Sequence, residues 1–293
     1  METDKYKVFL KVVECESFSR AAAELGYTQS AVSHCIYSLE QALGFRLLTR
    51  EGRKTRLTSA GQEAMPFIVK IVNSQTTLDQ WASFYLGVGA GKLCIASIPS
   101  LAIHTFPDMV KRFNDRYPNI QIQLLHGNYS DVERLLASGT VEFGFLSVSS
   151  QTPFPFVTLY REKLAVILPP GHPLAEKERL SLKDLEPESF IMPGEGPRHQ
   201  VGELIKNYNL NLNVKYCISD DDITISMVSR GLGVTILPEM SYRDYLNFQF
   251  EVRDLTEAPY RDIGIAYTAW DNISPIGKAF IKLAKESFAP LTP

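Results

Sequence analysis

Apolar residues recur at helical spacing from the start of the chain. Tyr6, Phe9, Val12 and Val13 mark one face of a helix over 4–15. Two shorter runs follow, in SFSRAAAELGYTQSAVSH (17–34), with one glycine between them. Ser19 can cap a helix reaching Leu25, and Gly26 suits its stop. Thr28 can cap the next helix, which reaches about Leu43 before Gly44. FRLLTREGRKTRLT then divides into two short runs around Glu51-Gly52. Glycine accepts the positive φ of a tight hairpin, so the pattern predicts a small β wing.

Residues 59–86 predict one long helix. Gly61, Ala64, Ile68, Ile71, Gln75, Leu78, Ala82 and Tyr85 alternate at spacings of 3 and 4, a heptad seam suited to pairing with a second chain. The alternative is a helix packed on its own chain. Gln75 could fix register as a buried polar residue, and Pro66 should kink the helix. GVGAG (87–91) reads as a linker. From Lys92 short apolar runs alternate with helical stretches. Strands are expected at 93–98, 120–126, 143–148, 156–168, 189–192, 214–218, 234–237, 248–253 and 262–268. Helices are expected at 100–116, 129–138, 197–208, 221–231 and 274–288. This alternation predicts mainly parallel sheet under helices, in two lobes joined by crossings near 160 and 268.

Composition is that of an ordinary globular chain: 293 residues, 45% hydrophobic and 22% charged. No apolar run is long enough to span a bilayer, and no signal peptide is expected, so the reading is a cytoplasmic protein without a membrane partner. Cys15, Cys35, Cys94 and Cys217 are scattered and read as free thiols. The net charge of −3 conceals an asymmetry. Residues 43–60 hold Arg46, Arg50, Arg53, Lys54 and Arg56 against Glu51 alone.

Enzyme-like motifs fail on inspection. GVGAGK misses the phosphate-loop spacing by one residue, and Leu93 follows its lysine. There is no G-x-S-x-G elbow and no H-x-x-x-H pair. No catalytic set, metal site or cofactor is expected. Asp220-Asp221-Asp222 reads most simply as a helix start.

The two short helices carry more. Ala22 is small where helices must cross closely, Gly26 makes the turn, and Leu25 and Val32 with Ile36 or Leu39 fill the wedge, as in a helix-turn-helix. If Val32, Cys35, Ile36 and Leu39 face inward, the outer face shows Gln29, Ser30, Ser33, His34 and Tyr37. Gln29 is placed to reach a base edge, and glutamine can pair with adenine. Thr28 and the exposed N–H groups beside it favour phosphate. Arg50, Arg53, Lys54 and Arg56 would grip the DNA backbone. Alone, the hairpin could equally be a structural pair with a polar stripe; the basic wing and pairing helix favour the DNA reading.

FSRAAAELGYTQSAVSHCIYSLEQALGFRLLTREGRKTRLTSAG resembles the N-terminal signature of LysR-type transcriptional regulators. FPDMVKRFNDRYPNIQIQL and SRGLGVTILPE resemble stretches of that family's effector domain, so the resemblance spans the chain. It implies a multidomain α and α/β protein: an N-terminal winged helix-turn-helix (1–58), a long linker and dimerisation helix (59–91), and a two-lobed, periplasmic-binding-protein-like α/β effector domain (92–293). Lobe I would take about 92–160 and 268–293, and lobe II about 161–267. It also implies a homodimer or homotetramer on a two-fold promoter site in double-stranded DNA, with RNA polymerase a further candidate partner. One departure matters. The family commonly has a basic residue where His34 stands, and often others at Tyr37 and Ser38. This recognition helix has no fixed positive charge.

An effector should lie between the lobes, at strand ends and helix starts. Candidates are Ser97, Ser100, Asn128, Ser147, Met192, Pro193, Arg198, Asp221 and Ile223. Serine hydroxyls with helix amides suit a small carboxylate, although Asp221 would admit an amine; simple capping is the alternative for each serine. Other readings are a cytosolic binding or transport protein with a helical arm, which the basic wing disfavours, and an α/β enzyme without an assignable catalytic set.

Overall fold

The computed structural model describes residues 2–51, 54–85, 91–149, 151–194, 200–243 and 248–288. The N-terminal head holds α1 (Glu2–Cys15), α2 (Phe18–Leu25) and α3 (Gln29–Leu43), then β1 (Leu48–Glu51) and β2 (Lys54–Leu57), an antiparallel pair. Local chemistry sets the boundaries. Gly26 (φ 69°) and Gly44 (φ 81°) stop α2 and α3 in the left-handed region, and the Thr28 hydroxyl accepts from Ala31 N. The expected cap at Ser19 is corrected by two residues. Ser17 has the extended backbone (φ −159°) that lets its hydroxyl accept from Arg20 N, whereas Ser19 lies inside α2. Gly52, the expected hairpin turn, lies outside the described residues.

Phe9, Val12, Ala21, Val32, Ile36 and Leu47 form the head's core, and Ile68 of α4 (Ser59–Tyr85) completes it. Gly61 brings α4 against the wing entry: a Cβ there would lie 2.1 Å from the Leu47 carbonyl oxygen. α4 continues through Pro66 to Tyr85. Its seam divides. Gly61 and Ile68 are buried on their own head, while Ile71, Leu78 and Tyr85 are exposed. Gln75 bonds Asp79 along the helix (2.8 Å).

The remaining elements are β3 (Gly91–Ser97), α5 (Pro99–His104), α6 (Phe106–Arg116), β4 (Ile120–His126), α7 (Tyr129–Ala137), β5 (Phe143–Val148), β6 (Phe156–Leu168), β7 (Arg179–Leu180), β8 (Ser189–Pro193), α8 (Gln200–Tyr208), β9 (Asn213–Ile218), α9 (Asp221–Val228), β10 (Thr235–Pro238), α10 (Glu239–Tyr242), β11 (Glu251–Leu255), β12 (Tyr260–Tyr267) and α11 (Pro275–Phe288). Lobe I has the strand order β4-β3-β5-β12-β6. Its core gathers Phe113, Phe143 and Phe145 around Phe280 of α11. The second half of β6 continues into lobe II between β10 and β11, with β7 beside β11 and β8-β9 joined through a Phe190–Val234 bridge.

Three expectations change here. The sheet is mixed: β3, β4 and β5 are parallel, but β12 is antiparallel to both neighbours, because the crossing strands run back between lobes. The helix expected over 100–116 is two helices meeting at Thr105; Pro107 has no N–H to give the Ile103 carbonyl. The second crossing lies at 256–259, not near 268. β12 pairs with β5 and with the first half of β6, so residues 260–267 belong to lobe I. Among the described residues, no helix is long and apolar enough to cross a membrane.

Candidate nucleic-acid interface and effector cleft

α3 presents two faces. Val32, Ile36 and Leu39 are buried against α1 and α2, with Cys35 half-buried. Gln29, Ser30, His34 and Tyr37 are exposed, and Ser33 is half-exposed. Tyr37 leaves 61% of its surface open, much for an aromatic residue on a packed helix. The start of the helix is ordered by its own side chains. Thr28 Oγ1 lies 3.0 Å from Ser30 Oγ, and the Ser19 hydroxyl donates to Gln29 Oε1 at 3.1 Å. That bond holds the Gln29 amide at the head of α3, with its NH₂ group left to donate.

Charge near this face comes from elsewhere. Lys5 of α1 donates to the Ser38 hydroxyl (2.9 Å), placing a cation beside the second half of α3. Lys54 and Arg56 are exposed on β2. Lys54 is not independent, because its ammonium pairs with Glu16 at 2.7 Å. That hydrogen bond, reinforced by the charges of Lys54, Arg56 and Arg20, holds the Glu16 carboxyl below its usual range. Arg53, Arg198 and the side chain of Arg50 lie outside the described residues.

In the effector region the structure gathers only part of the expected set. The Ser97 hydroxyl is buried and donates to Ile98 O (3.0 Å). Asn128 is an exposed cap, in a reciprocal box with Asp131. Met192 and Pro193 end β8, paired with Cys217 and Ile218, and Ile223 is exposed on α9. Ser100 bonds, and Asp221 feels the charge of, a residue at the lobe junction that the sequence reading missed. Arg261 opens β12 just past the second crossing and is buried. Its Nε donates to Glu162 Oε2 (2.7 Å), Nη1 to Tyr129 Oη (3.2 Å) and Nη2 to Ser100 Oγ (3.0 Å). Glu162, fully buried on β6, also accepts from Met240 N of α10. Burial pushes the Asp221 carboxyl up, opposed by the Ser241 hydroxyl and the Arg261 charge.

Ser147 lies in a recess of about 50 Å³, lined also by Tyr129 and Glu133 of lobe I and Glu203 of lobe II. A buried arginine and glutamate on two long strands had one sequence signal: the charged groups that interrupt the apolar runs, Arg161-Glu162-Lys163 within 156–168 and Arg261-Asp262 within 260–267. The partnership itself spans 99 positions. No cluster of histidine, cysteine and acidic residues able to hold a metal occurs among the described residues.

Comparison with known proteins agrees with both halves of this arrangement. Residues 3–62 match the family model of the bacterial regulatory helix-turn-helix protein, lysR family, and residues 87–289 match that of the LysR substrate binding domain. A Bacillus subtilis HTH-type transcriptional regulator, YvbU, is 29% identical, over 98% of this chain and 99% of its own. Among solved structures, a full-length OxyR variant of Pseudomonas aeruginosa is similar with TM-score 0.75 at 21% identity, covering 98% of this chain and 97% of that one. Full-length CbnR complexed with its target DNA is similar with TM-score 0.71 at 20% identity, covering 98% of this chain and 100% of that one.

Proposed function

This chain belongs to the LysR family of bacterial transcriptional regulators, and from that premise we propose how it divides its work: α3 selects a DNA sequence, the wing grips the backbone, and an effector between the lobes modulates both. The family is one of regulators, not enzymes. The observation that carries the DNA reading is the outer face of α3. It presents hydrogen-bonding side chains without a fixed charge, on a head whose wing strand β2 carries exposed cations. Gln29, Ser30, Ser33, His34 and Tyr37 contact base edges or adjacent sugars; Thr28, Arg50, Arg53, Lys54 and Arg56 contact phosphates.

The active unit is a homodimer on a two-fold site. Two features support it. Ile71, Leu78, Trp81 and Tyr85 leave an apolar stripe exposed along α4, and a groove of about 410 Å³ beside it is lined by Tyr6, Leu43, Phe45 and Phe67. Pairing of dimers into a tetramer, contact with RNA polymerase and action in the cytoplasm complete the reading, on family resemblance alone. Footprinting of the DNA upstream of the protein's own gene, at several salt concentrations, tests it. One protected two-fold site, with affinity falling as salt rises, is the expected result. No protected site and no salt-dependent binding would overturn it.

A further inference from the structure

α3 carries no lysine or arginine from Gln29 to Leu43, yet a cation from another helix stands at one margin of its outer face. At about 100° per residue, Ser33, Tyr37, Ser30 and His34 share one arc of α3, with Glu40 at one margin of that arc and Ser38 at the other. Different elements hold the two margins. Glu40 Oε1 accepts from Leu47 N (2.7 Å) and Leu48 N (3.1 Å), which ties its margin to the entry of the wing. The Ser38 hydroxyl accepts from Lys5 Nζ of α1 (2.9 Å). The Cys35 thiol, three positions before Ser38, agrees with this placement. Burial pushes it up, and of the two charges that act on it Lys5, which lowers it, outweighs Asp4, which raises it.

On the reading that α3 enters the major groove, we propose that Lys5 is a DNA contact whose ammonium meets a phosphate on the groove wall opposite the one gripped by the wing. A helix about 10–12 Å across fills a groove about 12 Å wide, so each margin of its outer face lies against the phosphates of one strand. The wing stands at the Glu40 margin and Lys5 at the Ser38 margin. The bond to Ser38 fixes the direction of the ammonium, which has three donors and can meet a phosphate oxygen at the same time. A hydroxyl holds that charge without cancelling it, whereas Glu16 cancels part of the charge of Lys54. Thr28 and the first N–H groups of α3 then anchor the start of the helix, and Lys5 anchors its second half.

The test compares the full-length parent with Lys5→Gln, Lys5→Arg and Lys7→Gln, on the footprinted site and on a random duplex, over one salt series. Lys5→Gln should weaken binding to both duplexes about three- to tenfold at about 0.1 M salt and lower the salt slope by about 0.9 for each bound head. Lys5→Arg keeps the charge and should keep the slope. Lys7 is exposed about 200° round α1 from Lys5, so Lys7→Gln should match the parent. Phosphate ethylation interference on the footprinted site locates the contact. In each half-site one phosphate should cease to matter in Lys5→Gln, across the groove from those lost in Arg56→Ala. Weaker binding with an unchanged slope would mark a structural role and overturn the proposal. An unchanged interference pattern, or a loss on the wing's side of the groove, would overturn it too. A parent that shows no protected site and no salt-dependent binding removes the DNA reading itself, whereas a parent that binds with the same slope as Lys5→Gln removes this proposal alone.

Discussion

The Glu16 carboxylate lies 2.7 Å from the Lys54 ammonium, and the Glu16 carbonyl accepts from Thr55 N at 3.0 Å, so one residue at the α1–α2 turn holds both the wing's backbone and one of its cations. Glu16 is itself left-handed (φ 47°), where the chain must reverse between helices. An acid so placed reduces the wing's attraction for phosphate. Glu16→Gln should strengthen binding to a random duplex by about two- to fivefold at low salt and steepen the salt dependence by up to about 0.9, one more phosphate neutralised. Fluorescence anisotropy across a salt series measures this. An unchanged slope would mean that Lys54 meets no phosphate.

Ser17 and Ser19 should separate stability from specificity. Ser17→Ala removes the α2 cap and should cost about 1 kcal/mol. Ser19→Ala removes only the hydroxyl that holds Gln29, so stability should stay within about 0.5 kcal/mol of the parent. Its effect should appear in binding-site selection from random duplexes, as a broader base preference at the position Gln29 reads. Equal broadening by both variants would contradict the assignment.

The Arg261–Glu162 pair should show the asymmetry of buried charges. Arg261→Met leaves the Glu162 carboxyl enclosed without its guanidinium partner, which should destabilise the effector domain by about 3–5 kcal/mol. Adding Glu162→Gln removes the stranded carboxyl while keeping an acceptor for Met240 N, so the double variant should be more stable than the single one. Denaturant unfolding of the three proteins decides. A double variant less stable than Arg261→Met would show that Glu162 has another cationic partner.

Glu142 gives a pH dependence of definite sign. Its carboxylate caps the start of α11, accepting from Ser274 N (2.8 Å) and the Ser274 hydroxyl (3.0 Å), yet burial pushes its pKa up. A folded pKa above the unfolded value of about 4.3 means that this group's contribution is fully present below that pH and lost as pH rises through the folded value. Glu142→Gln stays neutral. Its melting temperature relative to the parent should therefore rise between about pH 4 and pH 7, and a constant difference would contradict the assignment.

Sequence legibility followed the range of the interactions. Gly26, Gly44 and Thr28 act on backbone within four residues, so composition and spacing reveal them. Two serines two positions apart could each cap α2; only the extended backbone at Ser17 distinguishes them. The heptad pattern of α4 was visible, but not that Gly61 and Ile68 are used within their own head. The sequence reading puts β12 in lobe II, with the crossing at its far end, because its partners, β5 and β6, are remote in the chain. Lys5 beside Ser38, Glu16 with Lys54 and Arg261 with Glu162 are all closed by tertiary packing, and no local spacing encodes them.

The division of labour between α3 and the wing is the central claim, and one measurement addresses it directly. Affinities of the parent protein, Gln29→Ala and Arg56→Ala are determined on the footprinted site and on random DNA over the same salt series. Gln29→Ala should lose about 1–3 kcal/mol on the specific site and almost nothing on random DNA, with an unchanged salt slope. Arg56→Ala should weaken both duplexes alike and lower the slope by about 0.9. Equal losses on both duplexes for Gln29→Ala, or a site-specific loss for Arg56→Ala without a change in slope, would contradict the account.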